Sequence, residues 1–315
     1  MQELIQVWFQ GLFEGLYEFF DPIFIFFSLI GEELIFMLIL AILFWAVNKR
    51  LAVIMSCSTV FSLTTNGFIK EIAKIERPIS NENIRHVSVE NIFINTNLES
   101  YSFPSGHAQT AGSLFGTLGF YMKKPKVWII CIVSIILVCL SRIYLGVHWP
   151  LDVAVGAVLG FSISYFVSLL YNKFESKKFF IYLGISVGAL IASFFVKNTE
   201  SIKNIGAACG LGIGLAIECK WIKFDEKVGT WYQKIIRVVV GLVFVLIIKE
   251  GLKYLFRLIG DYNFLHFIRY VMIAIGATVL YPMLFKWFRA KFLSKKVAIE
   301  QEEKSQDEAS LEDAK

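Results

Sequence analysis

Apolar residues run along this chain in long blocks, and short charged clusters separate them. A bilayer core about 30 Å thick is crossed by roughly 20 residues of helix. On that scale nine blocks predict spanning helices: about 33–47, 51–69, 105–121, 127–146, 150–171, 179–196, 203–218, 234–256 and 266–289. The first is short, and residues 21–30 are available to extend it. Residues 4–20 follow another pattern, aromatic-rich with Gln6, Gln10, Glu14 and Glu18 at helical spacing. That predicts an amphipathic helix lying in the membrane interface. The start carries acids and lacks a basic region, so no cleaved signal peptide is expected. The expected fold is all-α, a polytopic transmembrane helical bundle of about nine spans.

Composition narrows the class. Hydrophobic residues make up 56% of the 315 and charged residues 18%, against about a quarter charged in soluble domains. This excludes a soluble globular enzyme, a fibre and a disordered chain. Lys49/Arg50, Lys123/Lys124/Lys126, Lys173/Lys177/Lys178, Lys220/Lys223/Lys227 and Lys286/Arg289/Lys291/Lys295/Lys296 occupy alternate loops of the nine-span layout. Cytoplasmic loops are the Lys/Arg-rich ones, so the N-terminus is expected outside and the C-terminus in the cytoplasm, in a plasma-membrane protein. The net charge of +5 forms no continuous basic patch, and no nucleic-acid partner is expected. Cys57, Cys131, Cys139, Cys209 and Cys219 fall in or beside apolar blocks and read as small buried hydrophobes. Gly112/Gly116, Gly156/Gly160, Gly206/Gly210 and Gly210/Gly214 have the spacing that brings helices close in lipid. The acidic, polar stretch 299–315 is expected to be disordered.

Polar residues gather in three short segments on the expected outer side. The first runs from Lys70 to Pro78, the second from Ser102 to His107, and the third from Ser141 to Asp152. Lys70, Arg77 and Arg142 bring three positive charges to one pocket, complementary to a phosphate dianion and hostile to a metal cation. Lys74 is a candidate fourth, on one helical face with Lys70 and Arg77, and lipid headgroups are its competing partner. Ser105, Gly106 and His107 begin an apolar helix, where free N–H groups favour an anion and Gly106 allows close approach; ordinary capping by Ser105 is the plainer alternative. His148 and Asp152 are four apart at a helix start fixed by Pro150, a spacing that lets the carboxylate hold the imidazole Nδ1–H and leaves Nε2 as nucleophile. His107, from another helix, can sit opposite as a general acid. A zinc site on the two histidines and Asp152 is disfavoured by the surrounding cations and the missing fourth ligand. No metal and no cofactor are expected.

These segments resemble the three-part signature of the type 2 phosphatidic acid phosphatase and vanadium haloperoxidase superfamily: K-x6-RP, PSGH and SR-x5-H-x3-D. The resemblance covers about 70–152, with no departure from the pattern. It implies a metal-independent, two-step hydrolysis through a phosphohistidine. His148 would be the nucleophile, Asp152 its orienting partner, and His107 the acid and then the base. Lys70, Arg77, Ser105, Gly106 and Arg142 would bind phosphate. On this reading residues 1–32 are an interfacial segment, 33–175 the phosphatase helices, 176–292 additional membrane helices of unassigned role, and 293–315 a charged cytoplasmic tail.

The function expected is an integral-membrane phosphatase acting on a lipid phosphomonoester or pyrophosphate, with its site on the non-cytoplasmic face. Phosphatidic acid, phosphatidylglycerol phosphate and polyprenyl pyrophosphate are all admissible substrates. The nine-span layout also resembles glucose-6-phosphatases, which keeps a sugar phosphate as the chief alternative. Transfer to a second lipid is a further option. A soluble haloperoxidase is disfavoured by the spans. A transporter or channel would carry its ionisable residues near mid-membrane, and only Lys249/Glu250 hint at that. Homo-oligomerisation, and the roles of Lys74, His86 and Lys249/Glu250, stay open.

Overall fold

A computed structural model describes residues 1–87 and 100–289, and within them the chain is helical with no strand. Eleven α-helices follow in order: α1 Gln2–Gly11, α2 Tyr17–Leu29, α3 Glu33–Ile42, α4 Lys49–Ala73, α5 Gly106–Met122, α6 Pro125–Tyr144, α7 Pro150–Lys173, α8 Lys178–Ser193, α9 Thr199–Ile217, α10 Trp231–Arg257 and α11 Asn263–Ile275. Wider π turns prolong α3 over Leu43–Val47, α9 over Glu218–Ile222 and α11 over Gly276–Leu280. The expected tail 299–315, Lys291, Lys295, Lys296 and residues 88–99 lie outside the described residues.

Each of the nine apolar blocks coincides with a helix, yet fewer satisfy the physical demands of a crossing. Six helices are long and apolar enough, or seven if α2 and the 34–47 helix, bent by 51°, act as one span. Helix α5 is only 17 residues long, the 33–47 block counts only together with α2, and α10 is not among the six.

Close helix packing builds the frame around the site. A Cβ on Gly156 of α7 would come within 2.6 Å of the Ser105 carbonyl oxygen, and Gly160 lies as tightly on Gln109. Gly112 and Gly116 of α5 return the contact, against Ala157 and Ser164. The second pair is α9 on α11, where a Cβ on Gly206 would meet the Phe267 carbonyl at 2.6 Å and Gly210 lies against Val271. Small-residue spacing thus marks both of the closest interfaces.

The N-terminal segment departs from expectation. The helix over 4–20 breaks at residues 12–16, and its polar residues divide. Glu14 and Glu18 are exposed, whereas Gln6 and Gln10 are buried. Gln6 Nε2 donates to the Ile143 carbonyl at 3.1 Å, and Gln10 Nε2 donates to the Tyr144 and Arg85 carbonyls at 2.8 Å each. The carbonyls that end α6 have no intrahelical partner, so α1 supplies one with its polar face turned inward. Below it, Phe24 stacks on Tyr144 with ring centroids 4.1 Å apart.

Candidate active site

Six of the expected site residues, Lys70, Arg77, Gly106, His107, Arg142 and His148, line one cavity of about 190 Å³. Five places deliver them: the end of α4 gives Lys70, the loop after it Arg77, the start of α5 Gly106 and His107, the end of α6 Arg142, and the turn before α7 His148. Asp152 and Ser105 are not in the wall. They fix its groups from outside it, Asp152 through Ser102 and Ser105 through its backbone.

His148 is 1% exposed and held from both sides. Its Nδ1 lies 3.2 Å from Ser102 Oγ, and Arg77 Nη1 lies 3.3 Å from its Nε2. Asp152 Oδ2 is 3.7 Å from Nδ1, too far for the direct bond that the i, i+4 spacing suggests. Ser102 fills the gap and donates its own hydrogen bond to Asp152 Oδ2. The carboxylate has a second duty, accepting the Trp149 N–H at 3.0 Å at the start of α7. A guanidinium can only donate, so Nε2 is the acceptor and Nδ1 carries the proton. The relay runs Arg77 to His148 to Ser102 to Asp152. Burial, reinforced by the charges of Arg77, Arg142, Lys70 and His107, holds the His148 imidazole well below the usual histidine range. It is therefore neutral, with a lone pair on the nitrogen that lines the cavity.

The cations are anchored as well. Arg77 Nε donates to the Ser100 carbonyl at 2.8 Å and Nη1 to the Val147 carbonyl at 3.1 Å. Burial pushes its guanidinium down to about 10, against the opposing pull of Asp152. Arg142, 3% exposed, donates from Nη1 to Ser28 Oγ at 2.5 Å, and its Nε has no protein partner among the described residues. Lys74 does not join them. Helix α4 ends at Ala73, Lys74 turns left-handed with φ 49°, and its side chain is exposed outside the cavity. The shared helical face expected for Lys70, Lys74 and Arg77 ends with the helix.

The turn before α5 is clamped from three directions. Ser102 N donates to the Ile75 carbonyl at 2.7 Å, Asn66 Nδ2 donates to the Pro104 carbonyl at 3.0 Å, and Ser105 N donates to the Asp152 carbonyl at 3.0 Å. No side chain caps α5, and the buried Ser105 Oγ has no protein partner among the described residues. Ordinary capping by Ser105 is therefore not what this turn does. A Cβ on Gly106 would meet only Asn66 Oδ1, at 3.9 Å, so the helix N-terminus faces open space of the kind that accepts an oxyanion.

Residues 34–176 match the sequence profile of the PAP2 superfamily, and residues 202–295 match that of the PAP2 superfamily phosphatase, transmembrane extension. The chain belongs to the PAP2 superfamily. It is 30% identical over 143 residues to undecaprenyl-diphosphatase of Sulfolobus acidocaldarius, covering 45% of this chain and 66% of that relative. It is 36% identical over 87 residues to phosphatidylglycerophosphatase B of Bacillus subtilis, covering 25% and 41%. With sphingosine-1-phosphate phosphatase 1 of Rattus norvegicus it shares 27% identity over 260 residues, covering 71% of this chain and 57% of the relative. Each match spans less than two thirds of the relative's own length. Among solved structures, the first transmembrane PAP2 type phosphatidylglycerolphosphate phosphatase from Bacillus subtilis is similar with a TM-score of 0.42 and 21% identity, covering 54% of this chain and 88% of that one.

Several residues of the candidate site carry no signature. Glu32, 4% exposed, bonds His107 Nε2 through Oε1 at 2.9 Å, and Ser28 holds Arg142. Both come from the segment expected to be a separate interfacial element. Ser102 stands in the quoted second segment, five residues before His107, where a small hydroxyl beside a buried His and Asp was the available signal. The start of α9 also reaches the cavity, contributing Asn198, Glu200 and Ser201 and, from within the extension, Asn204. His86 stays outside the cavity wall, with Nδ1 3.3 Å from the Leu145 carbonyl.

Proposed function

We propose that this PAP2 protein is a metal-independent membrane phosphatase that hydrolyses a lipid phosphomonoester or pyrophosphate through a phosphohistidine. The observation that carries the reading is the relay from Asp152 through Ser102 to a neutral His148 that lines one cavity with Lys70, Arg77, Arg142 and His107. The substrate phosphate enters among Lys70, Arg77, Arg142 and the free N–H groups at Gly106, and Arg77 exchanges Nε2 for phosphate oxygens. His148 Nε2 then attacks phosphorus, the bond to the leaving oxygen breaks, and His107 gives that oxygen its proton. Ser102 and Asp152 support the positive charge that forms on the His148 ring. In the second step His107 takes a proton from water, the resulting hydroxide attacks phosphorus, and the P–N bond breaks to release inorganic phosphate. His107 enters the first step oriented by Glu32.

A lipid is favoured over a sugar phosphate because a second, apolar cavity of about 210 Å³ adjoins the charged one. The alternating Lys/Arg-rich loops support nine membrane segments, an outside N-terminus, a cytoplasmic C-terminus and a site on the non-cytoplasmic face of the plasma membrane. Purified protein is assayed in EDTA on phosphatidic acid, sphingosine phosphate, a polyprenyl pyrophosphate and glucose 6-phosphate. Phosphate release from at least one lipid, with an acid-labile phosphoenzyme trapped on brief exposure, is expected. Activity that EDTA removes and a divalent metal restores would overturn the phosphohistidine route. Glucose 6-phosphate as the best substrate would overturn the lipid assignment.

A further inference from the structure

The apolar cavity has a mouth and a floor. It shares the lining residues Phe36, Leu63 and Asn204 with the charged cavity, so the two are immediate neighbours there. From Phe36 to Trp45 along α3, and from Asn204 to Leu215 along α9, its lining descends nine and eleven residues, on the order of 15 Å at the helical rise. That depth is about half of a 30 Å hydrocarbon core, the thickness of one leaflet. At the lower end Trp45 is 2% exposed and locked: its Nε1 donates to the Ala277 carbonyl at 3.1 Å, its own carbonyl accepts from Arg237 Nη1 at 2.7 Å, and Tyr281 packs edge-on at 4.8 Å. Between mouth and floor the walls are Leu40, Leu211, Leu242, Val245 and Ala274. Much of this wall belongs to α9, α10 and α11, the helices that follow the catalytic segments.

We infer that this cavity seats the aliphatic chain of a lipid phosphate that has one chain, and that the C-terminal extension exists to build its walls. The inference rests on the phosphatase reading for the headgroup end and adds the tail. A phosphate held by Arg77 and Arg142 puts the first carbons of its ester at the Phe36–Leu63–Asn204 neck. From the neck there is one apolar way down, and it accepts one chain; the second chain of a diacyl lipid would have to remain outside. Lys249 lines the cavity on the mouth side of Val245 and Leu242, by register along α10, while the neighbouring Glu250 is 61% exposed and ion-pairs with Lys253. Lys249 thus serves the neck and not a mid-membrane ion path. The floor at Trp45 sets a length beyond which added methylenes gain nothing.

Two measurements test this. In the first, the full-length protein in nanodiscs is photolysed with dodecyl phosphate carrying a diazirine on its terminal carbon. Label is expected on α10 and α11 at the depth of Trp45, with competition by unlabelled dodecyl phosphate. Label confined to the outer faces of α6 and α7 overturns the seat, whether or not the protein is active. In the second, kcat/KM is measured for butyl, hexyl and octyl phosphate. Burying four more methylenes should raise it roughly tenfold or more from butyl to octyl, and Val245→Trp should erase most of that octyl-to-butyl ratio. Val243→Trp, on the outward side of the same helix at 50% exposure, should leave the ratio unchanged. A flat chain-length series in an enzyme that turns over butyl phosphate overturns the inference and leaves the phosphatase standing. No turnover of any ester, with label still at Trp45, overturns the phosphatase and leaves the seat.

Discussion

The two cavities that meet at Phe36, Leu63 and Asn204 are made of opposite materials. The upper one is lined by three cations, two histidines and three carboxylates, and each of these cations and histidines has a hydrogen bond to a neighbour in another segment. The lower one is lined mainly by aliphatic and aromatic side chains. Charged groups in a low-dielectric wall act only at set distances and angles, so their residue types cannot vary. Apolar walls need only volume and the absence of unpaired polar groups, so many sequences serve. Chemistry therefore leaves a signature in a sequence, and tail accommodation leaves only hydropathy.

The comparison can be broken most severely in the upper cavity. Replacing His148 by Ala should reduce turnover on the order of 10⁴-fold or more for every ester, with or without a tail, because the nucleophile is common to all. A loss that depended on tail length would mean that His148 shapes the lower cavity and is not the nucleophile. Phosphate release on long- and short-chain esters reads this directly.

A middle-sized effect is expected for Ser102→Ala. The hydroxyl touches no substrate and works through His148, so kcat should fall on the order of 10²-fold with little change in KM. Asp152→Asn should act on the same chain, and the double variant should lose little more than the worse single one. Full additivity would mean that Ser102 does not bridge the pair.

The smallest effect is a shift and not a loss. With only four histidines in the chain, ¹⁵N-histidine spectra in nanodiscs can follow each ring, and His148→Gln assigns one of them. The His148 ring should remain neutral, protonated on Nδ1, as the pH falls through the ordinary value of about 6.5. Its folded pKa is lowered, so below about 6.5 the unfolded chain takes up the proton more readily than the folded one. The fold should lose stability as the pH falls through that window. A ring that titrates at 6.5 or above would remove the neutral nucleophile from the scheme.

Much of this was legible in the residues. Hydropathy blocks marked the helices, and three motifs marked the elements that converge on one cavity. What escaped did so for identifiable reasons. Lys74 follows helical spacing on paper, but a left-handed turn after Ala73 takes it off the face. Glu32, Ser28 and Ser102 are single polar residues with no partner nearby in sequence; the packing of the α2–α3 region against α5 and α6 gives Glu32 and Ser28 theirs, and the turn before α5 meeting the start of α7 gives Ser102 its own. Gln6 and Gln10 looked like a wetted face because periodicity reports that a face differs, not which way it points. Fewer helices are long and apolar enough to cross than blocks were counted, in part because α5 is only 17 residues long.

The inward-facing glutamines of α1 give the first turns of the chain an unexpected status. Their amides close the carbonyls of Ile143 and Tyr144, one and two residues beyond Arg142. Cutting or displacing α1 would remove the Gln10 donor from the Tyr144 carbonyl, at about 1–3 kcal/mol, would leave the Ile143 carbonyl with the Gly146 N–H alone, and would loosen the helix end that carries Arg142. Protein engineers would ordinarily treat such a terminus as a free handle for purification tags, surface tethers or fluorescent fusions. Here the handle is bolted to the helix end that carries Arg142, and attachments are better made elsewhere.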